Sequence, residues 1–284
     1  DRPVISGVLS GGTCESHKAA LEAQTIFGES QNSYSPHGYT NQCYPTAIND
    51  NDVLTVSYYD NYSLIGEDYE FRPGLSLGNT PNYRIRGLET AKKVKVLDQE
   101  TPQWLITAIY YDEKYQTIQT IADLYPQGKE IVTNKHDYAG NVIQSQVRQE
   151  TPSATHEYYK WFSYDNHGRL LAIDQKITGD TENGRVTIAG YTYDELGRTT
   201  TKRLHNGYDS GRYWYTINGV NSAINYSRLS LSVLSTDASV AQDRFDGKPT
   251  QSEWMKYGLE EEAGGYQYVY DSTGQLAKAQ YLVY

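Results

Sequence analysis

The sequence predicts a mainly β protein: a curved or spiralling antiparallel sheet of successive β-hairpins, with one short helix near the N-terminus. Two observations support this prediction. A short turn motif recurs along the chain, and the composition includes 28 Tyr but only four Phe and four Trp. Tyrosine favours strands and suits surfaces that are partly packed and partly wet. We therefore expect a sheet with exposed faces rather than a compact globule.

The first 50 residues are predicted to form a helix-and-loop segment that packs on the sheet. Thr13 is a candidate N-cap, good helix formers run from Ser16 to Gln24, and Gly28 is a stop signal. The turn-rich stretch that follows predicts an irregular loop. Residues 51–284 are predicted to form the repeat-sheet domain.

Four segments share one frame: an aromatic residue or His, then Asp, two variable residues and Gly. Asp at the first turn position accepts hydrogen bonds from nearby backbone N–H groups, and Gly supplies the positive φ that closes the turn. Each segment therefore predicts a strand, a tight turn and a second strand, and one hairpin per roughly 20–30 residues is typical of a repetitive sheet. The predicted structural turn residues are Asp137 and Gly140, Asp165 and Gly168, Asp194 and Gly197, and Asp271 and Gly274.

Degenerate copies of the frame extend the repeat. Asp112 is followed by Tyr115 where Gly is expected, and because a bulky residue at positive φ is costly, we expect that turn to have a different shape. Thr216 replaces Asp in a copy that keeps Gly219. Between that copy and Asp271, Trp254 is the predicted core anchor.

Charge and spacing argue against several classes of function. The formal charge of −10 argues against nucleic-acid binding and against anchoring to anionic lipid, and no stretch approaches the ~20 apolar residues of a spanning helix. Cys14 and Cys43 are too few for a disulfide framework, and unpaired, buried side chains are favoured over a bridge. The six histidines lack metal-ligand spacing, so no metal or cofactor is predicted. A hydrolase would need a deep pocket with a perturbed carboxylate pair, and no catalytic set emerges.

Aromatic residues outside the repeat frame are the candidate ligand-facing side chains. They could stack on sugar rings, or pack on neighbouring hairpins as cross-strand pairs. Packing is favoured, and carbohydrate binding is kept as the alternative function. The candidates are Tyr158, Tyr159, Trp161, Tyr213, Trp214 and Tyr215.

The Tyr-Asp pairs at 164–165, 193–194 and 270–271, within a recurring aromatic-x-Tyr-Asp-x-x-Gly frame, resemble the YD repeats of the bacterial Rhs family. In Rhs proteins, insecticidal toxin-complex subunits and teneurins, such repeats curl into a hollow shell, which in the toxin systems encloses a C-terminal toxic domain. The family's aspartate autoprotease has no match here. With at most seven repeat units, we expect an open sheet rather than a closed shell.

The resemblance also implies a non-catalytic scaffold at the cell surface or outside the cell. The implied partners are neighbouring repeats and the C-terminal domain of a longer protein, with cell-surface glycans as the alternative and no nucleic acid or membrane insertion. The chain begins at Asp1 without Met, so we expect a processed or excised piece whose localisation is inferred from the resemblance alone.

Overall fold

The computed structural model describes residues 2–9, 11–46, 49, 51–64, 66–98, 102–182, 184–216, 219–226, 229–234, 248–257 and 262–283. Within these residues the chain forms seventeen β-strands, whose strand pairings are antiparallel, and a single α-helix. The consecutive strands between Val53 and Glu150 pair with their neighbours along the chain, and so do the consecutive strands between Leu170 and Val283. The predicted mainly β architecture of successive hairpins is confirmed.

The chain divides into two compact units, residues 1–159 and 160–284. The separate boundary predicted between residues 50 and 51 stays a prediction. The first unit contains helix α1 (Cys14–Glu22), short 3-10 turns at Pro36–Gly38, Glu67–Tyr69 and Pro73–Leu75, and the start of strand β8 (Thr155–Tyr164). Its other strands are β1 (Ile5–Gly7), β2 (Val53–Tyr59), β3 (Glu89–Val96), β4 (Gln103–Tyr111), β5 (Thr117–Asp123), β6 (Lys129–His136) and β7 (Val142–Glu150).

Helix α1 begins where the sequence predicts. Thr13 and Ser16 form a reciprocal capping box, in which Ser16 N donates to Thr13 Oγ1 at 3.2 Å and Thr13 N donates to Ser16 Oγ at 2.9 Å. The helix ends at Glu22, before the predicted Gln24. It has no buried residue, and Cys14 on its first turn is exposed. Both cysteines are free, as favoured, but the expected burial of Cys14 is wrong because this helix lies open to solvent.

The first unit has a packed core that follows the register of its strands. One cross-strand row joins Ala91, Ala108, Ile121 and Ile131, all fully buried. Tyr39, from the irregular N-terminal loop, stacks on the ring of β2 Tyr58 at 5.9 Å and donates its hydroxyl to the Ser57 carbonyl at 2.6 Å. The loop is thereby held against the sheet by a ring contact and a hydrogen bond.

The second unit is a sheet without a comparable core. After the end of β8 it contains the strands β9 (Leu170–Ile177), β10 (Val186–Tyr193), β11 (Thr199–Leu204), β12 (Asp209–Tyr215), β13 (Asn221–Asn225), β14 (Leu229–Leu234), β15 (Gln251–Lys256), β16 (Glu262–Tyr270) and β17 (Leu276–Val283). A 3-10 turn at His205–Gly207 follows β11. Among the described residues of this unit, Ala189 is the one buried apolar side chain. This unit therefore fits the predicted sheet with exposed faces.

Trp254, the predicted core anchor, lies half-buried on a face of the second unit. It sits opposite Gly264 on the neighbouring strand, and its ring is 5.8 Å from Tyr266 and 5.9 Å from Tyr281. A Cβ built on Gly264 would lie 2.7 Å from the Trp254 ring. The indole therefore covers a glycine on the sheet surface instead of filling an interior, because this unit has no interior to fill.

Candidate functional site

The candidate site is the row of turns that the repeat frame encodes. In the turn at Asp165, Gly168 N donates to the Asp165 carbonyl at 3.0 Å, and Gly168 has φ 77°. Asp165 Oδ1 accepts from His167 N at 2.8 Å and from Arg169 N at 2.9 Å. One carboxylate oxygen thus fixes the backbone on both sides of the glycine.

In the other three predicted turns the aspartate also accepts from the backbone N–H group four residues on. Asp194 Oδ1 accepts from the N–H groups of Leu196 and Arg198 at 3.0 and 2.8 Å. Asp137 Oδ1 accepts from Asn141 N at 2.9 Å, and Asp271 Oδ1 accepts from Gln275 N at 2.8 Å. The closing glycines all have positive φ: 95° at Gly140, 82° at Gly197 and 80° at Gly274.

The Asp112 turn adopts this shape without a glycine. Tyr115 has φ 64°, its N–H donates to the Asp112 carbonyl at 3.1 Å, and Asp112 Oδ1 accepts from Lys114 N and Gln116 N at 2.8 Å each. The expectation of a different shape is wrong. The Asp112 carboxylate holds the backbone N–H groups on both sides of Tyr115, and these bonds offset the local steric cost of its positive φ.

The strand register shifts directly before these turns. The shifts fall between Lys135 and His136, between Thr192 and Tyr193, and between Val269 and Tyr270. A bulge bends the strand and re-aims the side chain at that position. The aromatic residue that precedes each turn residue is therefore set by the bulge rather than by simple alternation.

These re-aimed tyrosines bind the backbone of another hairpin. Tyr193 Oη donates to the Leu170 carbonyl at 2.7 Å, and the guanidinium of Arg169 lies 4.9 Å from the Tyr193 ring centroid. Arg169 Nε also pairs with Asp165 Oδ2 at 2.6 Å. We call this arrangement a turn clasp: a tyrosine before one turn covers a cation and donates to the carbonyl of the residue that follows that cation.

The turn clasp recurs at the next hairpin. Tyr215 Oη donates to the Thr199 carbonyl at 2.8 Å, under the guanidinium of Arg198 at 4.8 Å. Arg198 Nε in turn pairs with Asp194 Oδ2 at 2.7 Å. Arg169 also reaches forward, donating from Nη1 to the Asp194 carbonyl at 3.4 Å. Two consecutive clasps therefore connect three successive turns.

Two further clasps follow the same rule. Tyr270 Oη donates to the Pro249 carbonyl at 2.9 Å and lies 5.6 Å from the Lys248 ammonium. In the first unit, Tyr59 Oη donates to the Pro3 carbonyl at 3.0 Å, with the Arg2 guanidinium 4.7 Å from its ring. In all four clasps the acceptor is the residue immediately after the cation, so one short segment provides both contacts.

The turn carboxylates are held in their ionised form. Backbone and side-chain hydrogen bonds from Arg169 place the pKa of Asp165 below its usual range. Partial burial opposes ionisation of Asp194, but the bonds from Arg198 outweigh it, and its pKa is also lowered. The Asn141 side chain lowers the pKa of Asp137, and the Thr273 side chain lowers that of Asp271. A general acid needs the opposite shift.

The candidate ligand-facing aromatics do not form one platform in either unit. In the first unit, Tyr159 Oη accepts from Gln146 Nε2 at 3.0 Å, and Tyr158 is half-buried beside it on β8. In the second unit, Trp161 lies beneath the Arg185 guanidinium at 4.4 Å. These three rings are therefore engaged with, or packed among, neighbouring strands.

On β12 the neighbouring candidate aromatics Tyr213 and Trp214 face opposite ways. Tyr213 Oη lies 2.8 Å from Tyr226 Oη, and Tyr215 belongs to a clasp. Trp214, 44% exposed, projects from the other face because neighbouring strand residues alternate. Tyr226, which sequence reasoning missed, covers Gly211: a Cβ there would lie 2.2 Å from the Tyr226 ring. Continuing the register in which Arg212 lies opposite Asn225 puts Tyr226 opposite Gly211, and the sequence alone does not give this pairing.

Across the part of the chain that the structure describes, no group of three or more His, Cys, Asp or Glu side chains is placed to hold a metal ion. In the same residues, no helix has the length and apolar character needed to cross a bilayer.

Comparison with known proteins gives a distant likeness. No family model and no curated protein matches the chain. Among solved structures, it is similar to TcdB2–TccC3 without its hypervariable C-terminal region, at 11% identity and a TM-score of 0.28, covering 68% of this chain and 15% of that one. It is also similar to the Tc holotoxin pore of Photorhabdus luminescens with a TccC3 mutation, at 12% identity and a TM-score of 0.28, covering 81% and 17%. The chain spans about a sixth of those proteins, and at these TM-scores the likeness carries no argument about function.

Proposed function

We propose that this chain is a non-catalytic structural segment of an Rhs/YD-repeat protein, serving as an extracellular scaffold or a wall of a shell. The observation that carries the proposal is the turn clasp, which couples hairpins through a cation, a tyrosine ring and a backbone carbonyl. In the Arg169 and Arg198 clasps, the cation and the tyrosine both occupy positions of the recurring frame or of its degenerate copy. A scaffold made of successive hairpins requires such contacts between one hairpin and the next.

The carboxylates support a structural role. Those in the turns accept backbone hydrogen bonds and stay ionised. A cavity of about 460 Å³ in the first unit contains Asp123 and Lys129, but Asp123 already accepts from Tyr69 Oη at 2.6 Å, Ile106 N at 2.8 Å and Lys129 Nζ at 3.2 Å. A carboxylate with its acceptor sites occupied in this way serves packing rather than proton transfer.

The contacts of the candidate aromatic rings do not favour carbohydrate binding, the alternative function. Stacking on sugars needs several rings on one exposed face. Tyr159, Trp161, Tyr213 and Tyr215 are in contact with neighbouring side chains or backbone, and Trp214 projects from the face opposite Tyr213.

The test uses the longer protein that contains this segment. We expect limited proteolysis to cut wild type slowly throughout the repeat region, and to cut a Tyr193→Phe/Tyr215→Phe variant faster in the flanking hairpins. Tyr208→Phe, at a ring 83% exposed, is the matched control. Equal cleavage of all three proteins would count against a scaffold built on the clasps. A saturable change in tryptophan fluorescence on adding a polysaccharide, if it is lost in Trp214→Ala, would favour the carbohydrate-binding alternative instead.

A further inference from the structure

The geometry points to a binding site for a small oxyanion, a carboxylate, sulfate or phosphate group, in a cavity on the second unit centred on Gly190 and Arg203. The cavity has a volume of about 330 Å³ and is lined by residues of β9, β10, β11 and the 3-10 turn that follows β11. None of its lining residues belongs to a turn clasp. The inference therefore goes beyond the proposed scaffold and does not depend on it.

The register of four strands creates the cavity. Gly190 on β10 lies opposite Ala172 on β9 and opposite Arg203 on β11, and Arg203 lies opposite Ser210 on β12. The row reads Ala, Gly, Arg, Ser, so the long Arg203 side chain has small neighbours on both sides. The missing side chain at Gly190 leaves the floor of the cavity open.

Polar donors at the cavity are not used elsewhere. Within the described residues, neither the Arg203 guanidinium nor the Asn206 amide has a hydrogen-bond or ion-pair partner. By contrast, Arg169, Arg185 and Arg198 in the same unit each pair with an aspartate at 2.6–2.7 Å. Arg203 is thus a cation at a cavity with no carboxylate bound to it.

The neighbouring acid on this face is already neutralised. Asp174 shares the Ala172 face of β9, because alternate strand residues project to the same side. It accepts from Arg185 Nη2 at 2.7 Å and from Thr187 Oγ1 at 2.7 Å. Asp174 therefore does not compete for Arg203.

The rim of the cavity is held in an uncommon backbone conformation. The 3-10 turn His205–Gly207 packs on β10, and Asn206 and Gly207 from this turn line the cavity with φ 58° and 86°. Residues with a Cβ adopt positive φ at an energetic cost, and such conformations concentrate at ligand sites. Here the conformation brings an amide group to the same cavity as the guanidinium.

These groups define the ligand class. A guanidinium presents parallel N–H donors that match two oxygens of a carboxylate, sulfate or phosphate, and an amide N–H adds a further donor. The cavity volume suits one small ligand. A neutral ligand would leave the guanidinium charge without a partner.

The test is calorimetric titration of the full chain with galacturonate, sulfate and phosphate at constant ionic strength, with neutral galactose as the uncharged counterpart of galacturonate. We expect at least one oxyanion to bind saturably. Arg203→Gln should weaken binding by about tenfold, as loss of a charge-assisted hydrogen-bonding group does. Gly190→Ala should weaken oxyanion binding by a similar factor, because its methyl group would occupy the bottom of the cavity. An added Cβ there lies 3.9 Å from its nearest atoms, so the fold accommodates it.

Lys202→Gln is the matched control. Lys202 is the preceding residue of β11, projects from the opposite face near the Tyr191 ring, and carries the same charge. Its loss should change affinity by less than about twofold if binding is local, since exposed charges act weakly at a distance. Melting temperatures confirm that each variant is folded. If Arg203→Gln does not fold, Gly190→Ala still tests the site.

Three results would overturn the inference. One is the absence of saturable binding for all three oxyanions. Another is equal weakening by Lys202→Gln and Arg203→Gln, which would indicate diffuse attraction. The last is binding of galactose as tight as that of galacturonate, which would indicate recognition of the ring.

Discussion

The guanidinium of Arg169 lies 4.9 Å from the ring centroid of Tyr193, while Tyr193 donates its hydroxyl to the carbonyl of the residue next to that arginine. The two contacts are made to one short stretch of backbone. Arg169 is further held by Asp165, so the turn, the cation and the tyrosine of the next hairpin form one connected group.

Removing the tyrosine hydroxyl should weaken a clasp, because the hydrogen bond is lost while the contact between ring and cation is kept. Tyr193→Phe keeps the ring under Arg169 but loses the bond to the Leu170 carbonyl, and should lower the free energy of unfolding by about 1 kcal/mol. Chemical denaturation measures this change. Tyr208→Phe, on an exposed ring in the same unit, should leave stability unchanged. Equal stability of the two variants would mean that the hydroxyl is fully compensated by water.

Relieving the backbone at Tyr115 should stabilise the first unit. Asn tolerates the left-handed region better than Tyr, so Tyr115→Asn should raise the free energy of unfolding by up to about 1 kcal/mol. Tyr34→Asn, another exposed tyrosine outside the positive-φ set, is the control and should give no gain. If Tyr115→Asn lowers the free energy of unfolding instead, the contacts of the Tyr115 ring stabilise the fold by more than its positive φ destabilises it.

Acid should weaken the turns. The pKa values of Asp137, Asp165, Asp194 and Asp271 are lower in the folded chain than their usual value of 3.8. A lowered folded pKa means that the stabilisation is fully present above the unfolded pKa and is lost as pH falls through the folded one. Melting temperature should therefore decline below about pH 4.

The aspartate dependence of that decline can be isolated. In Asp165→Asn/Asp194→Asn the side chains keep an acceptor oxygen but no longer titrate, so the acid-dependent part of the melting curve should be shallower. The double variant should also be less stable at pH 7, because the ion pairs with Arg169 and Arg198 are lost. An unchanged slope below pH 4 would assign the acid sensitivity to other carboxylates.

Adding a side chain at Gly264, which the Trp254 indole covers, should destabilise the second unit. Gly264→Ala places a methyl group 2.7 Å from the indole ring and 2.9 Å from Tyr281 Oη, and should lower the free energy of unfolding by about 1–3 kcal/mol. Tryptophan fluorescence should shift as the indole moves. Combining it with Trp254→Leu should recover part of the loss, whereas additive losses would argue against a direct clash.

The parts of the fold that the sequence predicted are those controlled by neighbouring residues. Asp165 and Gly168 are three residues apart, and a carboxylate bonding to backbone N–H groups is local chemistry. The same is true of Thr13 and Ser16 at the helix N-terminus. Such contacts do not depend on which strand lies next to which.

The parts that were missed depend on register or on tertiary packing. Arg169 follows its glycine in the sequence, but its position over Tyr193 requires the intervening strands to be aligned. The exposure of Cys14 and the surface position of Trp254 depend on how much core each unit has, which composition does not reveal. At Tyr115, a local rule against bulky residues at positive φ was overridden by the carboxylate of Asp112.

The spacing of the clasps has an evolutionary consequence. Each tyrosine in the Arg169 and Arg198 clasps reaches only the hairpin before its own, so duplication or loss of a whole hairpin leaves every other clasp with its partners. Loss of a single strand would reverse the direction of all later strands relative to the earlier ones, and the tyrosine of the next clasp would no longer lie near its cation. A gene encoding such a strip is therefore free to change length in steps of two strands and is constrained against steps of one.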